Sequence, residues 1–287
     1  MLQLTKSRFA AATDAAVLPP PDNCIVVISQ IELDLATTQK ALAQLLAGLE
    51  EMRPHIIVIM GDFVSQRISD KMPYEGFRQY FESISQIARD NSLTCLKEQT
   101  EWIFVPSVDD PGMTKMMPCM PLAEYFLTGP RSQTGNQRIL KNVTMASNPF
   151  RMSYYGKEIV FSRYNYFKKL KKNHLAKVEL AVQRIRGLGA EQKDDTLKVA
   201  RTILHQGHLM PLSSVVQPVM WTFAKDCLNL VPHPDYLILA DDCADYHHKL
   251  PVEDGSHVHV MNPGNFAIDR SFLVFYPKTE DIQPSHI

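Results

Sequence analysis

Polar side chains that can bind cations follow several short apolar runs of this sequence. They lie in four short segments, namely Gln30 and Glu32, Gly61 and Asp62, Ser107 to Asp110, and Ala240 to Cys243. In open α/β sheets, the loops that leave the carboxyl ends of the strands build the functional site. Carboxylates at such positions can hold a hard cation such as Mg²⁺ weakly, whereas the nitrogen ligands that suit transition metals are missing from them.

Alternating strands and helices must bring these side chains together. The apolar run Ile25–Ile28 predicts a first strand, and apolar residues at helical spacing predict a helix over Leu35–Met52. A second strand at Ile56–Met60 leads directly into Gly61-Asp62, a helix follows over Phe77–Ala88, and a third strand at Trp102–Val105 ends at a proline. This alternation is typical of an α/β fold with buried strands.

The second half of the chain continues the pattern less regularly. We expect a strand at Glu158–Phe161 and a basic helix over Lys168–Arg186. Further strands are predicted at Tyr236–Leu239, His257–Met261 and Phe272–Phe275. The turn sequence Asn262-Pro263-Gly264-Asn265 predicts that the last two of these strands form a hairpin.

The composition limits the possible functions. The chain has 287 residues, of which 45% are hydrophobic, and a formal net charge of -1, so it lacks the basic footprint of a protein that grips nucleic acid alone. Its five cysteines include no C-x-x-C pair, which argues against a disulfide framework and a structural zinc site and favours a reducing compartment. No apolar run approaches the roughly 20 residues that a membrane span requires.

The order of the polar sets resembles the calcineurin-like metallophosphoesterases. That family carries the blocks D-x-H, G-D, G-N-H-D or G-N-H-E, a lone His and G-H-x-H, the last shortly before an N-P-G turn. The same order is found here, including Asn262-Pro263-Gly264. The resemblance implies a sandwich of two mixed β-sheets flanked by helices, and a chemistry in which two metal ions activate a water molecule.

Most of the metal ligands of that family are replaced. The positions with a different residue type are Gln30, Glu32, Val108, Asp109, Asp241 and Cys243. Asp62 is retained, Asp110 stands at the acidic end of the third block, and His208 matches the lone His. Because a two-metal centre needs the right number of ligands, the resemblance implies a vestigial pocket with no catalytic residue, no bound metal and no cofactor.

Further stretches resemble the B subunits of the eukaryotic DNA polymerases alpha, delta and epsilon, a family known for degenerate ligand blocks. Val105–Gly112 resembles their V-P-G-x-x-D-P-G with Ser107 in place of the first glycine, and Ser147–Arg151 resembles their N-P-C-R segment. Thr202–Leu212 resembles T-I-L-x-Q-G-H-L-x-P-L of the epsilon branch, and Pro234–Asp241 resembles P-D-x-L-x-I-A-D. The chain is therefore identified as similar to this family, and most similar to its epsilon branch.

This resemblance implies a scaffold rather than an enzyme. Such a protein binds the cysteine-rich C-terminal domain of the catalytic subunit, contacts other replisome proteins and supports DNA replication in the nucleus, and it meets DNA only weakly or indirectly. The alternative is an active metal-dependent phosphoesterase with a rearranged site.

The resemblance also predicts the domain organisation. We expect residues 1–22 to form a flexible tail and residues 23–287 to form one inactive phosphoesterase-like domain. Members of the family usually carry an OB-fold as well, and 22 residues are too few for its five strands. We therefore expect the OB-fold to be absent from this sequence.

Two further polar clusters allow more than one interpretation. The lysines Lys168, Lys169, Lys171 and Lys172 suggest a nuclear import signal or a contact to DNA phosphates, but their helical spacing favours an ordinary solvated helix face. His257 and His259 resemble a metal-binding pair, yet a solvent-facing strand is favoured. His247 and His248 are interpreted as loop residues.

Overall fold

The computed structural model describes residues 23–65, 71, 74–90, 93–127, 140–173, 194–252 and 255–287. The tail expected at residues 1–22 lies outside these ranges, as does the later part of the helix expected over Lys168–Arg186.

The first sheet contains the strands that lead into the first polar sets. Its strands are β1 Ile25–Ser29, β2 Ile56–Met60, β3 Glu101–Val105, β4 Val143–Met145, β10 Ser271–Tyr276 and β11 Asp281–His286. They lie in the order β11-β10-β1-β2-β3-β4. Strands β1 to β4 run parallel, whereas β10 pairs with β1 in the antiparallel sense. The carboxyl ends of β1, β2 and β3 therefore share one edge of the sheet.

The second sheet contains the remaining strands. These are β5 Phe150–Tyr154, β6 Lys157–Arg163, β7 Tyr236–Ala240, β8 Tyr246–Pro251 and β9 His257–Asn262. Their order is β5-β6-β7-β9-β8, in which β6, β7 and β9 run parallel. Hence the carboxyl ends of these three strands also meet at one edge.

Helices cover the outer faces of both sheets. They are α1 Ala36–Met52, α2 Arg78–Asp90, α3 Thr94–Glu98, α4 Tyr166–Asn173, α5 Asp195–Gln206, α6 Trp221–Cys227 and α7 Phe266–Asp269. Short 3-10 helices occupy Tyr74–Phe77 and Glu124–Leu127. One apolar cluster joins α1, α2 and α3 to the first sheet, and another joins α4, α5 and α6 to the second. In the ranges given above, no helix is long and apolar enough to cross a membrane.

The two sheets pack face to face. Side chains of alternate strand positions, such as Val27 and Val58 in the first sheet and Phe161 and Ile238 in the second, form one fully buried cluster between them. Their neighbours along the strands, such as Val26, point into the outer clusters. Both faces of the central strands are therefore buried, which explains their continuous apolar runs. The expected fold, an α/β sandwich of two mixed sheets flanked by helices, is confirmed.

The hairpin expected between the last two predicted strands is wrong. Strand β9 pairs with β7 and β8 in the second sheet, whereas β10 pairs with β1 and β11 in the first. The segment of residues 263–270, which includes α7, carries the chain from one sheet to the other. The turn signal was correct, but each strand pairs in the sheet where both of its faces become buried.

Two expectations about histidines are also wrong. His247 and His248 lie on strand β8 instead of in a loop. His259 is only 5% exposed, and its Nδ1 lies 3.0 Å from Nε2 of His247. Only His257 of the predicted solvent-facing pair is exposed. His247 on β8 and Tyr236 on β7 stack against the His259 ring, an effect that alternation along one strand cannot reveal.

Candidate functional site

The predicted pocket lies where the carboxyl ends of the two parallel strand groups meet. Asp62 follows β2 and Asp110 follows β3 in the first sheet. Arg163 ends β6 and Asp241 follows β7 in the second sheet. Electrostatic contacts join Arg163 to Asp62 and Asp241, and join Asp110 to Asp62, so the fold brings these four residues together as strand-end side chains.

The guanidinium of Arg163 connects the two sheets at this edge. Its Nε donates to the carbonyl oxygen of Gly61 at 2.8 Å, and Nη2 donates to the Asp62 carboxylate at 3.0 Å. Nη1 donates to the carbonyl oxygen of Ala240 at 3.0 Å and to Oδ1 of Asn165 at 2.9 Å. The Arg163 side chain is 2% exposed. We call these five residues the guanidinium site.

Burial and charge act in opposite directions on Arg163. Burial disfavours its positive charge, but Asp62, Asp241 and Asp242 together raise the pKa of the guanidinium. A buried charge is tolerated only where it is paired and hydrogen-bonded, and the guanidinium site supplies both conditions.

Asp110 has a structural role in the loop after β3. Its two carboxylate oxygens accept from the backbone N–H groups of Phe63 and Ser107 at 2.8 and 2.7 Å. Burial, together with the neighbouring Asp62 carboxylate, raises the pKa of Asp110 to about 8. A Cβ at Gly61 would lie 2.2 Å from Oδ2 of Asp110, so only glycine fits beside this carboxylate.

Asp241 has a similar structural role in the loop after β7 of the second sheet. Its carboxylate accepts from the N–H groups of Phe167 and Asp242 at 2.6 and 2.8 Å, and burial raises its pKa to about 6. Asn262 supports this loop through its Oδ1, which accepts from the N–H of Asp241. The same Asn262 side chain donates to the carbonyl of Cys243, whose pKa is raised to about 12, mainly by burial.

Gln30 and Glu32 follow β1 in backbone conformations with positive φ. Gln30 is buried, and its Nε2 has no hydrogen-bond partner among the described residues. The N–H of Glu32 donates to the carbonyl of Asp62 at 3.2 Å, which holds it beside the pocket. Burial and the carboxylates of Asp34, Asp62 and Asp242 raise the pKa of Glu32.

Three residues of the predicted pocket make their contacts elsewhere. Val108 packs into the apolar cluster behind the second sheet, and Asp109 forms an ion pair with Lys115 at 3.3 Å. Nδ1 of His208 accepts from the N–H of Met210 at 3.0 Å in the turn after α5. In the part of the chain that the structure describes, no hydrogen bond or ion pair joins His208 to the strand-end carboxylates.

The four lysines of the predicted cluster lie on α4 in different environments. Lys169 lies over the Tyr164 ring, contacts its hydroxyl group and is partly buried, which lowers the pKa of its ammonium group. Lys171 forms an ion pair with Asp195 at 2.9 Å. Lys168 and Lys172 are exposed.

The residues of this pocket do not fit a pair of metal ions. The carboxylate oxygens of Asp110 and Asp241 are engaged by backbone N–H groups, and Oδ2 of Asp62 is engaged by Arg163. Oδ1 of Asp62 is buried without a hydrogen-bond partner among the described atoms. The guanidinium also places a positive charge where cations would have to bind. Within the described ranges, no three His, Cys, Asp or Glu side chains converge as metal ligands would.

The sequence patterns missed Arg163 and Asn148. Asn148 is fully buried and donates through Nδ2 to the carbonyl groups of Pro106 and Arg163, each at 2.8 Å. It thereby ties the end of β3 to the end of β6. The available signal was position: Arg163 stands two residues after the apolar run that ends at Phe161, at the carboxyl end of the strand.

A protein-family model matches most of this chain. A family model that describes the B subunit of DNA polymerase alpha/epsilon matches residues 25–248. The chain belongs to this family. The match includes the strand-end loops of Asp62, Asp110 and Asp241 and the whole of β6, on which Arg163 lies.

Several curated members of this B-subunit family align with almost the whole chain. DNA polymerase epsilon subunit 2 of Drosophila melanogaster is 30% identical over 98% of this chain and 48% of its own length. The B subunit of DNA polymerase epsilon from Arabidopsis thaliana is 27% identical over 98% of this chain and 50% of its own length. The Homo sapiens subunit 2 is 26% identical over 93% and 46%. The chain thus spans about half the length of these relatives.

A solved structure also overlaps this family member. A protein of Thermus thermophilus covers 92% of this chain, and this chain covers 98% of it, with a TM-score of 0.41 and 9% sequence identity. A likeness at that score bears on neither family nor function.

Proposed function

We propose that this chain is a non-catalytic accessory subunit of DNA polymerase epsilon. In this role it binds the cysteine-rich C-terminal domain of the catalytic subunit, contacts other replisome proteins and supports DNA replication in the nucleus. The family match and the names of the curated relatives support this assignment.

The state of the strand-end carboxylates carries the non-catalytic part of the proposal. A metal-dependent phosphoesterase needs carboxylate oxygens and imidazoles that are free to bind cations and to activate water. Here Arg163 engages Asp62, and backbone N–H groups engage Asp110 and Asp241. Such contacts stabilise loops and occupy carboxylate oxygens that cation binding would require. They support a scaffold, for which shape and a rigid core are sufficient.

The proposed contact with DNA is weak. The formal net charge of the chain is -1. Of the four lysines in the predicted patch, Lys171 is paired with Asp195 and Lys169 packs on Tyr164, which leaves Lys168 and Lys172 as the candidates for phosphate contacts. Two phosphate contacts add little affinity at physiological salt.

Capture experiments test the assignment to epsilon. The chain is co-expressed with the C-terminal domain of the catalytic subunit of polymerase epsilon, alpha or delta from the same species, and each complex is measured by size-exclusion chromatography and calorimetry. We expect a stable complex with the epsilon domain alone. A preference for the alpha or delta domain would overturn the assignment.

An activity assay tests the non-catalytic role separately. The purified chain is incubated with a generic phosphodiester and Mn²⁺, with Asp62→Asn as the matched variant. We expect no turnover by either protein. Hydrolysis by the unmodified chain that disappears in Asp62→Asn would show a working site and contradict the scaffold role.

A further inference from the structure

Arg163 meets acceptors from both sheets at once. Gly61 and Asp62 follow β2 in the first sheet, whereas Ala240 ends β7 and Asn165 follows β6 in the second. The four hydrogen bonds measure between 2.8 and 3.0 Å and use all three nitrogen atoms of the guanidinium. Few other polar side chains could reach acceptors that diverge in this way.

The charges around the guanidinium match it. Asp62 is in direct contact with Arg163, and Asp241 and Asp242 act on it electrostatically. Asp62 and Asp241 belong to the strand-end positions at which the resemblance to metallophosphoesterases implies metal ions. The positive charge that the pocket needs is therefore already supplied by the chain itself.

We propose that Arg163 is an internal cation that replaces the metal ions of this fold in balancing charge and in linking the two sheets. The guanidinium site is then a closed structural site, specific for a guanidinium group, and its integrity does not depend on divalent cations. The inference goes beyond the assignment to a polymerase and does not rest on it, because an internal cation would stabilise the fold whichever partner the chain binds; it shares with the proposed function only the expectation that the pocket holds no metal.

Arginine and lysine differ in how well they can fill this role. The planar guanidinium presents donors in fixed, diverging directions, so Gly61, Asp62 and Ala240 are reached at the same time. A lysine ammonium group in the same place carries the charge but cannot reach all of these acceptors. Arg163→Lys should therefore keep the charge balance and lose most of the link between the sheets.

The test compares melting temperatures of the full chain and three variants. Arg163→Met removes the charge at similar length, Arg163→Lys keeps the charge, and Arg201→Met, on the exposed face of α5, is the control. Each protein is melted alone, with EDTA, with millimolar Mn²⁺, and with millimolar guanidinium chloride against NaCl of equal ionic strength. Mn²⁺ binding is also measured by calorimetry.

The internal cation predicts a distinct pattern. Arg163→Met should melt about 10 °C lower than the unmodified chain, because one partner of a buried ion pair is lost, and Arg163→Lys should fall between them. Guanidinium should raise the melting temperature of Arg163→Met by several degrees, since it can bind to the freed acceptors, whereas Mn²⁺ should not. Neither should raise that of the unmodified chain or of Arg201→Met.

Opposite results would overturn the inference. Stoichiometric Mn²⁺ binding by the unmodified chain, or a loss of its stability in EDTA, would show that metal ions still have this role. Equal responses of Arg163→Met and Arg201→Met to guanidinium would show that the pocket is not specific for it. If Arg163→Met does not fold, the calorimetry on the unmodified chain and the melting of Arg163→Lys decide between the same alternatives.

Discussion

Nε2 of His247 and Nδ1 of His259 lie 3.0 Å apart, and the planes of the two imidazoles are 6° from parallel. The rings are diagonal neighbours on the antiparallel strands β8 and β9, where His247 is opposite Met261 and Lys249 is opposite His259. Because a hydrogen bond between two imidazoles needs one lone pair, at least one ring must be neutral.

Burial favours the neutral form of both rings. Burial and the neighbouring His259 lower the pKa of His247 to about 4, and burial lowers the pKa of His259. Nε2 of His259 lies 3.4 Å from Glu280, which also pairs with Lys249. The arrangement favours a chain in which His247 donates to His259 and His259 donates to the Glu280 carboxylate.

The histidine pair should make stability depend on pH. The unfolded chain binds protons at these rings near the ordinary pKa of 6.5, whereas the folded chain binds them only at lower pH. The unfolded state thus binds more protons below about 6.5, and the free energy of unfolding falls as the pH falls toward about 4. His259 desolvates one face of the His247 ring, but the residue as a whole remains exposed and solvent screens its charge, so we expect a loss of about 1–2 kcal/mol.

Urea denaturation at pH 7.5 and pH 5 measures this effect. Asp110 and Asp241 change the stability in the opposite direction, since their raised pKa values favour folding at low pH. The effect of the histidines is therefore measured by comparing variants with the unmodified chain. His247→Gln should lose about 1–2 kcal/mol less than the unmodified chain between the two pH values. The control His205→Gln, at an exposed position of α5, should behave like the unmodified chain. Identical pH profiles for all three proteins would contradict the prediction.

Gly61 and Gly48 offer a matched pair of glycine substitutions. A Cβ at Gly61 would meet Oδ2 of Asp110 at 2.2 Å and the backbone nitrogen of Ser107 at 2.8 Å, whereas a Cβ at Gly48 on α1 meets nothing within 4 Å. Gly61→Ala should therefore cost about 3 kcal/mol or more, and Gly48→Ala should stabilise the chain by about 0.5–1 kcal/mol. Chemical denaturation measures both, and a neutral Gly61→Ala would show that the loop after β3 can yield.

The sequence predicted the strands well because burial on both faces leaves a plain signature. Ile56–Met60 and Tyr236–Leu239 are apolar runs bounded by turn residues, and both strands lie where they were expected. Which strand pairs with which is less visible. The turn after Asn262 is compatible with a hairpin. Strand β10 instead belongs to the first sheet, and only its long-range pairing with β1 decides this.

The strand pattern predicted where some strand-end side chains lie, but it did not predict their contacts. Strand ends placed Asp62 and Asp110 together, because parallel strands of one sheet bring their carboxyl ends to one edge, whereas Asp241 comes near them only because the second sheet packs on the first. Arg163 was missed because a single arginine after a strand looks like any surface charge in the sequence. Its partners lie 77 to 102 residues away along the chain, apart from Asn165, and such distances leave no local pattern.

Asn148 should be among the least replaceable polar residues. It donates to the carbonyls of Pro106 and Arg163 and accepts from the N–H of Arg163 at 3.1 Å. Asn148→Ala leaves these buried groups without their partner and should cost about 3 kcal/mol. Asn148→Asp should cost more at neutral pH, because a carboxylate cannot donate to the two carbonyls. Urea denaturation checks this, with the exposed Asn229→Ala as a control expected to cost under about 1 kcal/mol.

The exposed lysines of α4 should account for any DNA binding by the isolated chain. Two phosphate contacts, from Lys168 and Lys172, predict that log K falls with log salt at a slope of about -1.8, so binding at physiological salt should be weak. Fluorescence anisotropy with a short duplex measures this slope. Lys168→Glu with Lys172→Glu should abolish the binding, whereas Lys278→Glu, an exposed lysine in the turn between β10 and β11, should leave it unchanged. A steeper slope, or equal losses in both variants, would place the DNA contact on another surface.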